Sequence, residues 1–206
     1  MQLLIATTNP AKLAEYRLLL HDYPFDLVSL SDLGITEHPA ETGETFADNA
    51  RLKARFYFER ARRMPTLADD GGLEVDALDG APGVKSHRWL GESDVSDRAL
   101  AEAVVRRMEG VEEGRRTARL RAAVALTYLE GVSMRENLAE AAIEGVVARR
   151  VHQELRAGFP YRAVLWLPDR GCYIGELGPE EEARISQRRT ALEKLAPAFR
   201  RVLLRG

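Results

Sequence analysis

Apolar positions along the chain switch between a period near two and a period near 3.6. Gln2–Ala6 is an apolar run ending in Thr-Thr-Asn-Pro, the pattern of a buried strand followed by a tight loop. Leu13, Tyr16, Leu19 and Leu20 fall at helical spacing, and residues 25–30 read as a second strand. Thr45 then precedes a long helix reaching about Arg63, in which Phe46, Ala50, Ala54, Tyr57 and Ala61 form one apolar stripe, and Pro65 stops it. Residues 66–68 predict a short strand running into Asp-Asp-Gly-Gly, and residues 73–77 alternate. Residues 96–108 predict a helix with Ser96 as its N-cap. Residues 118–128 and 133–142 flank Leu-Glu-Gly-Val, which reads as a hairpin. Further strands are expected near 144–150, 163–167 and 172–176. Helices are expected over 179–185 and 190–204, with Pro197 as a kink in the second. Strand–helix alternation early and antiparallel pairing later predict an α/β fold around a long mixed sheet.

Composition narrows the class. The chain has 206 residues, 45% hydrophobic and 30% charged, with a formal net charge of −2. Such a composition folds and carries no bulk positive field for a nucleic-acid polymer. Cys172 is the single cysteine, which excludes an intrachain disulfide and a cysteine-cluster zinc site. The N-terminal apolar run is too short for a signal peptide, and the longest apolar stretch, residues 122–129, is far short of the ~20 residues of a membrane helix. A cytoplasmic protein is the expectation. Of the basic residues, only Lys12, Lys53, Lys85 and Lys194 are lysines.

Three segments could carry chemistry. Thr7-Thr8-Asn9-Pro10-Ala11-Lys12 joins a buried strand to a helix start, where free N–H groups and the dipole favour an anion; it could equally be a polar turn with a cap. In the segment from Glu41 to Lys53, Asn49 and Lys53 share a helix face. There Thr45 and Asp48 make an adequate cap, and Lys53 could be solvated. Asp69 and Asp70, followed by Gly71-Gly72, are costly for packing, because like charges so close need a cation or a proton. Hard oxygens and scattered histidines suggest Mg²⁺ there, against the plainer reading of an Asp-Gly turn. Together the three segments suit a polyphosphate substrate.

Those segments carry a resemblance. Thr7-Thr8-Asn9-x-x-Lys12, then Glu41-x-Gly43-x-Thr45-Phe46-x-x-Asn49-Ala50-x-x-Lys53-Ala54, then Ala68-Asp69-Asp70-x-Gly72-Leu73 through Gly80-Ala81-Pro82-Gly83 resemble the inosine/xanthosine triphosphate pyrophosphatases. The likeness is dense over residues 2–91 and resumes at Gly158-Phe159-x-Tyr161 and Ile185-Ser186-x-Arg188. It implies one domain over 1–206, with a long curved mixed sheet flanked by helices and two lobes around a central nucleotide cleft. It implies a homodimer and hydrolysis between the α- and β-phosphates of deaminated purine nucleoside triphosphates. By the same resemblance Thr7, Thr8, Asn9 and Lys12 hold phosphates, Lys53 neutralises them, and Glu41 and Asp70 hold Mg²⁺. Asp70 is also the base that orients the water, with Asp69 in support. Gly71, Phe159, Tyr161, Arg162, Glu182, Gln187 and Arg188 fall on further substrate-binding positions.

Departures from the pattern cluster at the nucleobase end. Gly71 replaces a serine, Arg162 an aspartate, Glu182 a lysine and Gln187 a histidine. Arg162 and Glu182 thus invert the family's charges, which reads as a swapped ion pair or as drift, and the base preference is expected to be altered. Two other readings remain: a non-catalytic nucleotide-binding protein on the same fold, and a phosphatase of another phosphorylated metabolite.

Overall fold

The computed structural model describes residues 1–91 and 95–204. Among them a seven-stranded sheet has the order β2-β1-β3-β4-β5-β6-β7. The strands are β1 (Gln2–Ile5), β2 (Asp26–Ser29), β3 (Thr66–Val75), β4 (Thr117–Glu130), β5 (Ser133–Val147), β6 (Leu165–Leu167) and β7 (Cys172–Tyr173). β1 pairs in parallel with β2 and β3, while β6 pairs antiparallel with β5 and β7. The helices are α1 (Pro10–Leu19), α2 (Phe46–Arg60), α3 (Asp97–Arg107), α4 (Pro179–Ile185) and α5 (Gln187–Leu203). The architecture is the expected α/β fold, a mixed open sheet flanked by helices. No helix among the described residues is long and apolar enough to cross a membrane.

The sequence accounts for these elements locally. Leu3, Leu4 and Ile5 are all buried, as in a parallel strand covered on both faces. Asn9 caps α1, its Oδ1 accepting from the Ala11 and Lys12 N–H groups, with Pro10 in the first turn where its missing N–H costs nothing. Thr45 and Asp48 form a reciprocal capping box on α2. The predicted stripe Phe46, Ala50, Ala54, Tyr57 and Ala61 is buried throughout. The predicted strand near 144–150 is the continuation of β5, and α5 begins three residues earlier than its periodicity suggests. Pro160–Ala163 and Ile174–Glu176 are 3₁₀ turns where strand was expected to begin or continue.

The largest difference lies at Asp69-Asp70-Gly71-Gly72. β3 runs through it without a turn, merging the two short strands expected there. Glycine is needed for close approach: a Cβ on Gly72 would stand 1.9 Å from Ser86 Oγ and 2.9 Å from the Gly83 carbonyl. Ser86 is itself buried, accepting from the Leu73 N–H at 3.2 Å and donating to the Gly83 carbonyl at 2.6 Å.

The chain divides into two compact units. One comprises Met1–Asp70, Ala122–Ala141 and Arg188–Gly206; the other comprises Gly71–Arg121 and Ala142–Gln187. In the first, Phe199 packs edge-on against Tyr23 and Phe25 at 5.3 and 5.6 Å. In the second, Leu73, Val75, Leu100, Val104, Leu120 and Leu165 belong to one core cluster. Gly72→Ala should destabilise the protein by about 1–3 kcal/mol through overpacking. Gly114→Ala, where a Cβ meets nothing within 4 Å, should be near neutral in the same urea titration.

Candidate active site

The first group of site residues is built wholly within the first unit. Successive side chains of a strand leave on opposite faces, so the two adjacent carboxylates of β3 take different partners. Asp69 is buried and meets Lys12 Nζ of α1 at 3.1 Å. The first turn of α5 supplies Arg188, whose Nε and Nη2 lie 3.0 and 2.9 Å from the same Oδ2. Asp70 accepts from Lys53 Nζ at 2.9 Å and from Asn49 Nδ2 at 3.2 Å, both from α2. Glu41 Oε1 stands 3.5 Å from the same lysine nitrogen. The expectation that two carboxylates so close need a cation is met twice over, because each has an ammonium of its own. Lys53 is not a solvated lysine, and the Asp-Gly turn is absent.

Electrostatics follow from burial and these pairs. Burial alone would raise the Asp69 carboxyl, but Lys12 and Arg188 outweigh it and hold Asp69 far below the usual carboxylate range. Burial lowers Lys12, with Arg188 and Lys53 adding to it against the pull of Asp69. Lys53 is raised, because Asp70 and Glu41 overcome its desolvation. Arg188 is raised by Glu15 and Asp69 against its burial. The Tyr16 hydroxyl is pushed well up by burial and by the Asp69 charge.

The loops fix this geometry by hydrogen bonds and close contacts. Asn49 Oδ1 accepts from the Gly43 N–H at 2.8 Å, so one amide ties the loop before α2 to the carboxylate of β3. A Cβ on Gly43 would lie 2.7 Å from that oxygen, which explains why glycine stands there. Thr7 Oγ1 accepts from the Asn9 N–H at 3.2 Å, leaving Thr8 exposed beside a half-buried Asn9. Glu41 and Asp70 are two hard carboxylates linked through Lys53. Among the described residues no group of three or more His, Cys, Asp or Glu side chains stands in metal-ligand geometry. Mg²⁺ takes one or two carboxylates and completes its shell with phosphate oxygens and water, so this donor set fits an ion that arrives with a triphosphate.

The second group is built within the other unit. Arg162 Nε lies 2.7 Å from Glu182 Oε1, and both side chains are only 5% exposed. The guanidinium of Arg162 also stacks 3.5 Å from the Phe159 ring centroid. Arg156 donates to the other oxygen of Glu182 and to the Leu177 carbonyl. The inverted charges thus form a swapped ion pair, and Glu182 is a saturated acceptor. Gly175 allows this packing, since a Cβ there would be 3.0 Å from the Arg162 carbonyl. Tyr161 is buried and donates to the Ser86 carbonyl. Its hydroxyl is raised by burial. Gly71 lies half-buried in β3, and Gln187 is buried as the first residue of α5.

Two contributors were missed by sequence reasoning. Glu15 pairs with Arg188 Nη1 at 3.3 Å. It stands three residues after Lys12 on α1, so helical spacing on a face already flagged was a usable signal. Arg156 lies in irregular chain between β5 and the Pro160 turn, where no periodicity points to it.

Comparison with known proteins agrees with this fold. The sheet and the carboxylate–lysine constellation define an α/β protein with a buried cluster of ion pairs. The Ham1 family profile matches residues 3–198, and the chain belongs to the Ham1 family. It is 37% identical over 193 residues to a dITP/XTP pyrophosphatase of Bacillus subtilis (strain 168), covering 94% of each chain. It is 40% identical over 194 residues to the dITP/XTP pyrophosphatase of Geobacillus kaustophilus (strain HTA426), covering 94% of this chain and 92% of that one. The structure of a HAM1 protein from Coxiella burnetii superposes with a TM-score of 0.82 at 31% identity, covering 97% and 98% of the two chains.

Asp69→Asn should cost about 3–5 kcal/mol in chemical denaturation at pH 7, because it strands the charges of Lys12 and Arg188. A depressed carboxyl contributes stability that is present above its unfolded pKa, about 3.9, and lost as pH falls through its folded value. The gap between wild type and variant should therefore begin to shrink as pH falls below about 4 and close only far below that. On the other unit, Glu182→Arg should cost a similar amount. Adding Arg162→Glu should recover only part of it, because Arg156 would then face a cation.

Proposed function

We propose that the protein hydrolyses deaminated purine nucleoside triphosphates, such as those of inosine and xanthosine, to the monophosphate and pyrophosphate. The observation that carries this is the Lys53–Asp70–Asn49 constellation on α2 and β3, with Glu41 beside it. The names of relatives alike over nearly their whole length support the same reading. A carboxylate fixed by an amide and an ammonium can hold a water in line with the α-phosphorus and accept its proton. Attack of that water forms the new P–O bond as the bond to the β-phosphate breaks, and pyrophosphate leaves with the electron pair. Lys53 and Lys12 balance the charge of the phosphate chain, and the Thr7–Asn9 loop lies at the start of α1, where N–H groups favour anions. Glu41 and Asp70 would hold Mg²⁺, which supplies charge neutralisation at the phosphates. Phe159, Tyr161, Arg162, Glu182, Gln187 and Arg188 are assigned to the nucleoside end, and Gly71 to substrate contact. Asp69 acts by fixing Lys12 and Arg188. In this reading residues 1–206 work as one domain, in the cytoplasm and as a homodimer.

The experiment is a panel of common and deaminated nucleoside triphosphates with Mg²⁺, scored separately for pyrophosphate and orthophosphate. Pyrophosphate release from the inosine or xanthosine compound is expected; orthophosphate release, or none, overturns the reading. Asp70→Asn should lower kcat at least ~10²-fold in a folded protein. Lys53→Ala should cost about 1.5–3 kcal/mol of transition-state stabilisation, equally for every base.

A further inference from the structure

One face of α3 and the chain leaving β5 crowd like charges around a single cavity. The cavity measures about 390 Å³ and is lined by Arg98, Arg106, Arg149 and Arg150. Glu102 is the one carboxylate on its wall, 3.9 Å from Arg98, and Arg149 pairs with Glu113. Among the described residues no carboxylate lies within ion-pair distance of Arg106 or Arg150. Val105 and Val151 contribute apolar, half-buried surface. A cationic last turn is ordinary at a helix C-terminus, which accounts for Arg106 but not for Arg149 and Arg150, which come from another element.

The scaffold beneath is rigid and adds to the positive field. Arg116 is buried at 1% exposure and donates to the carbonyls of Met108, Val147 and Ala148 at 2.7, 2.8 and 3.0 Å. It thereby ties the end of α3 to the end of β5, the two elements that present the arginines. Burial lowers Arg116, and the charge of Arg149 lowers it further, as expected where positive charge is incompletely balanced. The Tyr173 hydroxyl donates to the Arg150 carbonyl at 2.9 Å and fixes that backbone. This concentration stands in a chain whose net charge is −2.

We propose that this cavity is a second anion site that takes a compact inorganic oligophosphate. Guanidinium forks match phosphate oxygens bidentately, and the volume lies within the ~300–1,000 Å³ of small-ligand pockets. The site belongs entirely to the unit that contains none of Lys12, Lys53, Asp69 and Asp70. It therefore extends beyond the hydrolytic reading and does not depend on it.

The test is calorimetric titration of inorganic triphosphate into the full chain. Wild type should bind two equivalents per chain. Arg106→Ala/Arg150→Ala should weaken one of them at least about tenfold while leaving the pyrophosphate-release rate unchanged. Arg106→Lys/Arg150→Lys, which keeps the charges but loses the forks, should fall between. All the side chains replaced are exposed, and circular dichroism of each variant verifies the fold. Lys53→Ala should remove the other equivalent; if it removes neither, the hydrolytic reading fails while this one stands. An isotherm identical in wild type and the double-alanine variant overturns the proposal. So does a single-stranded oligonucleotide that displaces triphosphate at lower concentration, which would make the face a polynucleotide surface.

Discussion

Burying a charge costs several kcal/mol unless an opposite charge comes with it, and this constraint organises the site. Asp69 lies on a central strand and is 2% exposed. It is tolerable only because α1 brings Lys12 and α5 brings Arg188 to the same oxygen. Each of those cations carries burial of its own. Arg188 has Glu15 as a second counter-charge, and burial lowers Lys12 against the pull of Asp69. Three elements far apart in sequence are thus bound to one another by charge balance as well as by apolar packing. Removing Asp69 takes away the carboxylate that Lys12 and Arg188 share in a poorly solvated place.

Adjacent Asp70 uses the same strand to opposite effect. It is nearly as buried, yet its partners Lys53 and Asn49 come from a single helix, α2. Asn49 is in turn fixed by the Gly43 amide. Alternation along β3 thus gives the two adjacent carboxylates separate sets of partners. Gly72 then lets the strand continue under Ser86 without a side chain in the way.

Much of this was legible in the sequence wherever local rules decide the outcome. The α2 stripe, the Thr45 and Ser96 caps and the β4–β5 hairpin follow from periodicity and capping chemistry alone. Asp-Asp-Gly-Gly was legible as a special place but not in its conformation. Its turn residues are held extended by pairing in the sheet, and a tertiary constraint overrides propensity there. That Lys12 serves Asp69 while Lys53 serves Asp70 could not be read either, because it depends on which faces α1 and α2 turn toward β3. Arg156 was invisible for the same reason: irregular chain has no period to extrapolate.

The swapped pair of Arg162 and Glu182 has a consequence for the buried charge of its unit. Guanidinium groups stay protonated at any pH a cell reaches, and an amide does not titrate. Arg162 and Arg156 therefore hold Glu182 with charges of fixed sign, all three within one unit.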